Sequence, residues 1–207
     1  LILQKTEELR RTIVGRDKLY SVIAHDLRSP LASIKMVLNM LVLTLSKETL
    51  GQEMYHSLQS VTIGNSVTTI GECAFACCSK RTEFKGKFAS EDGRCLIIDG
   101  TLNSFAPAGV TEYTIPDSVT EIGMYAFENC SSLTSITIPD SVTTIGYFAF
   151  ANCSSLTSIT IPDNVTEIGD YAFNSCTNLS SLDLGNGVES IGFAAFAGCY
   201  NLESVTI

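Results

Sequence analysis

Residues 141–163 read SVTTIGYFAFANCSSLTSITIPD, and this pattern recurs along the second part of the chain with a period of 23 residues. Ile136-Thr137-Ile138, in the unit before it, alternates apolar and polar residues in the way that is typical of a half-buried strand. Pro139-Asp140 then predicts a turn. Val142 and Ile145 predict a second short extended segment. After Gly146, the spacing of apolar residues predicts a short helical or 3₁₀ turn, with Ala149, Phe150 and Cys153 facing inward.

One such unit cannot bury its own apolar face, whereas stacked units share a continuous core, so the repeats predict a solenoid with a parallel β-sheet along one side. The other units are residues 118–140, 164–186, 187–207 and an earlier copy from Leu58 to Cys78. We predict a repeat domain over 57–207, interrupted by an insertion at 79–109. Residues 94–105 of the insertion predict a β-hairpin with an Asp99-Gly100 turn. The cysteines at one repeat position predict a ladder of small buried side chains: Cys78, Cys130, Cys153, Cys176 and Cys199.

The repeat unit resembles the BspA-like bacterial leucine-rich repeats, whose units share the I-P-x-x-V-T-x-I-G-x-x-A-F-x-x-C-x-x-L-x-x-I-x-I pattern. This resemblance covers about 150 residues. It implies a protein-interaction or adhesion scaffold, secreted or on the cell surface, and it implies no catalytic residues.

Charge and composition restrict the partners. The chain has 207 residues, a mass of 22.3 kDa and a net charge of −9. Residues 57–207 hold 5 Lys and Arg against 16 Asp and Glu, and no Lys or Arg follows Arg94. A surface without cations cannot neutralise phosphates, so we expect no binding of nucleic acid. The spacing of Cys and His residues predicts no metal site.

Two sets of repeat positions are candidates for binding. One polar position is exposed on the predicted sheet of every unit, namely Thr62, Thr114, Thr137, Thr160, Asp183 and Thr206. We place a protein-binding or glycan-binding surface at Thr137, Thr160, Asp183 and Thr206, with a merely solvated strand face as the alternative. The aligned aromatic residues Tyr125, Phe148 and Tyr171 predict either rings that stack on each other or a hydrophobic contact strip.

The first part of the chain has a different pattern. Residues 1–46 contain one Pro and one Gly, and apolar residues from Tyr20 to Leu41 follow the 4,3 spacing of a bundle seam, which predicts a long helix. Residues 21–31, SVIAHDLRSPL, resemble the H-box of two-component sensor histidine kinases. The resemblance implies that His25 is the phosphoacceptor and Asp26 its general base or orienting group. It also implies that Ser29 is a polar group for phosphatase chemistry and that Pro30 kinks the helix.

The same resemblance implies a truncated helical hairpin over 1–56 that forms a homodimer through residues 9–45, by way of a four-helix bundle. ATP would act only through a separate kinase domain, since the chain has no glycine-rich phosphate loop. The partner in that case is a response regulator, and the location is the cytoplasmic side of the inner membrane. The join with the repeats leaves three explanations open: a functional fusion, a fusion that retired the kinase, or two unrelated fragments joined.

The complete prediction is therefore a mixed fold, with a helical hairpin followed by a leucine-rich repeat solenoid that has short helical turns. The leading function is an interaction scaffold without autonomous catalysis. The alternative is a phosphorelay protein in which His25 is phosphorylated in trans and passes phosphate to an aspartate.

Overall fold

The computed structural model describes residues 59–71, 74–75 and 79–206. In this part the chain winds into a solenoid of short strands joined by turns. The strands are β1 (Ser60–Ile63), β2 (Glu83–Gly86), β3 (Cys95–Ile98), β4 (Thr101–Phe105), β5 (Glu112–Thr114), β6 (Glu121–Ile122), β7 (Ser135–Thr137), β8 (Thr144–Ile145), β9 (Ser158–Ile161), β10 (Glu167–Ile168), β11 (Ser181–Leu184), β12 (Ser190–Ile191) and β13 (Ser204–Thr206).

Most coils contribute one strand to each of two parallel arrays. One array contains β5 paired with β7, and β9, β11 and β13 in the order β13-β11-β9. A hydrogen bond from Thr157 N to Thr134 O (3.3 Å) links these two groups of strands. The other array is one sheet with the order β12-β10-β8-β6-β4-β3, in which every pair is parallel except the antiparallel pair β3-β4. The parallel sheet predicted along one side of the solenoid is therefore present, and the described part of the chain contains a second, longer array as well.

The mixed fold class predicted from the sequence is wrong. No helix occurs in residues 59–71, 74–75 and 79–206, and the predicted short helical turns are successive non-helical turns. Ala149 N bonds to Gly146 O in its own coil, but Phe148 N and Phe150 N bond to carbonyls of the following coil, at Asp170 and Ala172. In an α-helix, consecutive N–H groups bond to carbonyls four residues earlier in the same helix, so N–H groups that alternate between their own coil and the next do not form one. The helical hairpin predicted over 1–56 lies outside the described residues.

In the core, inward side chains pack against the equivalent side chains of the next coil. The rings of Phe127, Phe150 and Phe173 are fully buried and lie face to face, with centroids 4.9 and 5.0 Å apart. Ala149 and Cys153 are fully buried beside them, which confirms the predicted inward set. Cys130, Cys153 and Cys176 form the buried cysteine ladder, and the ladder continues to the half-buried Cys199. The fifth predicted member, Cys78, lies outside the described residues.

The thiols of this ladder have backbone partners. The Sγ atoms of Cys153, Cys176 and Cys199 each donate to a backbone carbonyl at 3.2 Å. Burial raises the pKa of the Cys153 thiol well above its usual value, and the neighbouring Cys130 thiol raises it further. The Cys153 thiol is therefore neutral near pH 7, and its side chain fills part of the core.

The region between the early and late repeats keeps part of the coil pattern. Strand β2 pairs in parallel with β1, and Ser60 lies opposite Glu83 with the same offset of 23 residues that relates the later coils. Strands β3 and β4 then form an antiparallel hairpin across Asp99 and Gly100, whose φ angles are 50° and 84°. Positive φ at both central residues is the requirement of a type I′ turn. Because β4 pairs with β6, the hairpin extends the second sheet.

Candidate functional site

A groove of about 890 Å³ runs along the outer surface of the second sheet. It crosses successive coils from the hairpin to β12. One residue of each coil occupies an equivalent position along it, because the parallel register repeats from strand to strand. The groove therefore consists of columns of side chains that run along the solenoid.

The first column is polar and lies on the strands themselves. Strand register places its members side by side, in the order Thr101, Glu121, Thr144, Glu167 and Ser190. Successive residues of a strand point to opposite faces, and the residues that follow Glu121, Thr144 and Glu167, namely Ile122, Ile145 and Ile168, are buried. The outward residues thus form one polar wall of the groove. The Thr101 hydroxyl donates to a Glu121 carboxylate oxygen at 3.3 Å.

The second column is glycine and forms the floor. Gly123, Gly146, Gly169 and Gly192 directly follow the strands. A Cβ added to Gly146 would lie 2.9 Å from Ile122 O, and one added to Gly192 would lie 2.3 Å from Asp170 N. Adjacent coils therefore approach closely here, and the floor of the groove carries no side chains.

The third column forms the opposite wall, with Met124, Tyr147 and Asp170. Asp170 Oδ1 accepts a hydrogen bond from Phe193 N at 2.6 Å, so this carboxylate connects two coils. The Tyr147 ring packs edge-on against Phe148, with centroids 4.3 Å apart.

A row of aromatic rings supports this wall. Phe148 stacks between Tyr125 and Tyr171, with centroids 5.4 and 4.8 Å apart and an interplanar angle of 21° in both pairs. Of the two arrangements predicted from the sequence, the structure contains the stacked one. All three residues have positive φ, between 52° and 57°, which is uncommon for bulky side chains. The rings are thus held in a fixed row by both the turn and the stacking.

The charged side chains that line the groove in the described part of the chain are all acidic. Asp99, Glu121, Glu167 and Asp170 line it, and no Lys, Arg or His is among the described residues that do so. Most cations of the described region are engaged elsewhere. Lys85 pairs with Glu83 at 2.7 Å, and Arg94 donates to the carbonyls of Ala106 and Ala108. Arg81 is fully buried, with its guanidinium 4.6 Å from the centroid of the Phe84 ring.

A second polar cluster fastens the hairpin to the coil. Asp92 accepts hydrogen bonds from the Tyr113 hydroxyl (3.0 Å), from Arg94 N (2.9 Å) and from the Ser90 hydroxyl (2.5 Å). Partial burial alone would raise the pKa of Asp92, but these hydrogen bonds outweigh it and hold the pKa below its usual value. Burial raises the pKa of the neighbouring Cys95 thiol to about 12. Cys95 is therefore a neutral thiol near pH 7 rather than a nucleophilic thiolate, which indicates that this cluster is structural.

The binding surface predicted from the sequence lies on the other array. Its members are exposed, and the register places Asp183 between Thr160 and Thr206, and Thr137 beside Thr114. We call this surface the hydroxyl face. Its binding role stays a prediction. The predicted site residues His25, Asp26, Ser29 and Pro30 and the predicted dimer segment 9–45 lie outside the described residues.

Sequence reasoning missed the groove. Its signal was present in the alternation of Glu and Thr or Ser two residues before each repeat glycine. In residues 59–71, 74–75 and 79–206, no helix is long and apolar enough to cross a membrane. Nor do their His, Cys, Asp and Glu side chains form a group of three or more that could hold a metal ion.

Stacked coils with parallel strands and a shared ladder of inward side chains define a leucine-rich repeat solenoid. A family model described as the BspA type leucine rich repeat region matches this chain in six copies, over residues 39–89 and 101–207. The chain therefore belongs to the BspA-type leucine-rich repeat family. The matched region begins at residue 39, within the segment predicted as a helical hairpin, and this is a finding against that part of the predicted fold.

Solved structures of bacterial proteins share the fold. A leucine-rich repeat protein from Eubacterium ventriosum is 30% identical with a TM-score of 0.62, over 72% of this chain and 42% of that chain. A leucine rich cell surface protein from Faecalibacterium prausnitzii is 25% identical with a TM-score of 0.56, over 72% of this chain and 48% of that one. This chain thus spans less than half the length of either structure. The search of curated proteins gave no match. Neither the family match nor these structures support a histidine kinase segment.

Proposed function

We propose that this protein is a protein-binding scaffold and that its partner docks in the groove along the second sheet. The observation that carries the proposal is the groove itself, about 890 Å³ in volume and continuous across successive coils. Concave surfaces with a few convergent polar groups are the usual places for ligands to bind, and repeat solenoids commonly bind along extended surfaces.

The construction of the groove supports this proposal. The glycine floor and the strand wall are held by hydrogen bonds between coils, such as Gly146 N to Ile122 O at 2.7 Å and Gly169 N to Ile145 O at 2.7 Å. A partner would therefore meet a surface that is already formed, and little conformational entropy would be lost on the scaffold side. The hydroxyl face is the weaker candidate because its members are a row of exposed side chains on strands of the first array.

The scaffold hypothesis is favoured over the phosphorelay alternative. The groove is built entirely from described residues, whereas His25 lies outside them and the family match is to a repeat region. One relative is described as a cell surface protein. We propose the same location for this chain, with a partner that is itself extracellular or on a cell surface.

The test is a selection of displayed random peptides against the full chain, followed by two matched variants. Thr144→Trp fills the centre of the groove, and Thr160→Trp places the same side chain on the hydroxyl face. We expect selected peptides to lose binding to Thr144→Trp and to keep it with Thr160→Trp. Circular dichroism melts of both variants check that each remains folded. Failure to enrich any peptide, or loss of binding to Thr160→Trp instead, would overturn the proposal.

A further inference from the structure

We infer that the occupant of the groove is an extended segment of a partner protein that carries Lys or Arg at every third residue. This inference rests on the proposed scaffold function and names the chemistry of its partner. It follows from three properties of the groove: its charge, the spacing of its carboxylates and the groups between them.

The charge of the groove selects a cationic occupant. Two carboxylates, Glu121 and Glu167, project from the strand wall, and Asp170 lies across the floor from them. No cation lines the groove in the described part of the chain, and no Lys or Arg follows Arg94 in the sequence. Clefts lined by one sign of charge concentrate field lines and attract ligands of the opposite sign. Anionic ligands, including nucleic acids and anionic glycans, are disfavoured for the same reason.

The carboxylate spacing selects the conformation of the occupant. Glu121 and Glu167 lie on β6 and β10, with Thr144 of β8 between them. Neighbouring strands are about 4.8 Å apart, so their backbones are separated by about 9.6 Å along the solenoid. A polyproline II segment rises about 3.1 Å per residue with three residues per turn, so every third side chain points the same way at intervals of about 9.3 Å. A β-strand repeats its direction at about 6.6 Å or 13 Å, which does not match.

The groups between the carboxylates suit this backbone. A polyproline II chain has no internal hydrogen bonds, so its carbonyl groups need external donors. The hydroxyls of Thr144 and Ser190 alternate with the carboxylates along the strand wall and can supply them. On the opposite wall, the Tyr147 ring is placed between the levels of the two glutamates, where a guanidinium or ammonium group can lie against it.

The experiment uses labelled synthetic peptides and the full chain, with fluorescence anisotropy at 0.15 M NaCl. The probe is (Arg-Pro-Pro)₄, and a peptide of the same composition with its four Arg residues contiguous is the spacing control. We expect the spaced peptide to bind at least about fivefold more tightly than the contiguous one. The variant Glu121→Gln/Glu167→Gln should weaken binding of the spaced peptide by about fivefold or more, since both ion pairs are lost.

A matched pair of substitutions separates the groove from general acidity. Glu112→Gln/Glu203→Gln removes the same two charges from exposed positions outside both the groove and the hydroxyl face. It should leave the affinity within about twofold. Equal binding of the two peptides, or an equal loss with both double variants, would overturn the inference. If the peptides selected against the wild-type chain depend on the groove but lack regularly spaced Lys or Arg, the inference fails while the proposed scaffold function stands.

Discussion

The phenylalanine ladder yields the most demanding prediction of stability. Phe150 is fully buried and stacks on Phe127 and on Phe173, with interplanar angles of 11° and 5°. Replacing a buried Phe by Ala costs about 3–5 kcal/mol. Since Phe150 loses ring contacts on both faces, each worth about 0.5–1.5 kcal/mol, Phe150→Ala should fall in the upper part of that range, at about 4–5 kcal/mol.

Phe196 is the internal reference for this prediction. It stacks on Phe173 at 5.2 Å with an interplanar angle of 3°, but it is only partly buried. Phe196→Ala should therefore cost about 2 kcal/mol, roughly half as much.

The measurement is urea unfolding of the full chain, followed by far-ultraviolet circular dichroism. Hydrogen exchange serves as a local readout, because long repeat arrays can depart from two-state unfolding. Phe150→Ala should raise exchange in the coils on both sides of the substitution, whereas Phe196→Ala should raise it mainly in the last coil. Equal costs for the two variants, or a cost below about 2 kcal/mol for Phe150→Ala, would refute the argument that ring stacking holds the coils together.

Three further predictions concern backbone strain and titration. Gly146→Ala should destabilise the chain by about 2 kcal/mol, because the new Cβ meets Ile122 O at 2.9 Å. Gly64→Ala should be neutral within about 0.5 kcal/mol, because its Cβ meets no described atom within 4 Å. Thermal melts compare the two variants, and equal melting temperatures would contradict the close-approach argument. Ala194→Gly should stabilise the chain by about 0.5–1 kcal/mol because Ala194 has a φ of 53°, whereas Ala195→Gly should destabilise it by about 1 kcal/mol. A loss of stability in both variants, measured by thermal melts, would argue against strain at Ala194. The folded-state pKa of Asp92 is lowered from an ordinary value of 3.8, so its contribution to stability is complete above pH 3.8 and is lost as the pH falls through the folded-state pKa. Hydrogen exchange at the Cys95 amide should increase over that range. An unchanged dependence of this exchange on pH in Asp92→Asn would show that another group is responsible.

Much of the coil could be predicted from one repeat unit. Alternation identified Ile136 and Ile138 as inward residues of a strand, and both are buried. The repeated Phe and Cys positions predicted columns of like residues, because a fixed period places equivalent side chains above one another. These features depend on local periodicity and on stacking, and both are visible in the sequence.

The turn after Gly146 could not be predicted in the same way. Ala149, Phe150 and Cys153 have the spacing of a helical face, and this spacing led to the wrong assignment. The N–H groups at Phe148 and Phe150 instead bond to the next coil, and Phe148 has φ of 52°. An aromatic residue is rarely found at positive φ, so no propensity rule would place one there. Stacking on the rings of the neighbouring coils offsets the cost of this positive φ, and a single repeat unit does not show that stacking.

The groove was missed because it depends on relations between coils. Each Glu or Thr before the repeat glycine looks like an ordinary exposed strand residue. Only the register of β6, β8, β10 and β12 shows that these residues form one wall, and only the close approach of the coils shows why the next position is glycine. The positions of the hydroxyl face are easier to recognise in the sequence because most of them are threonine.

The contrast between uniform and variable columns has a physical basis. Inward positions are uniform because each ring packs on an identical ring, so a single different residue would leave a cavity or a clash in two coils. The groove wall has no such requirement, but it has an electrostatic one. Carboxylates on adjacent strands would lie about 4.8 Å apart and repel each other, and the hydroxyl of Thr144 between Glu121 and Glu167 avoids this. The alternation that relieves this repulsion also doubles the carboxylate spacing, and that doubled spacing is what matches a ligand with a cation at every third residue. The stability of the sheet and the selectivity of the groove therefore follow from the same pattern.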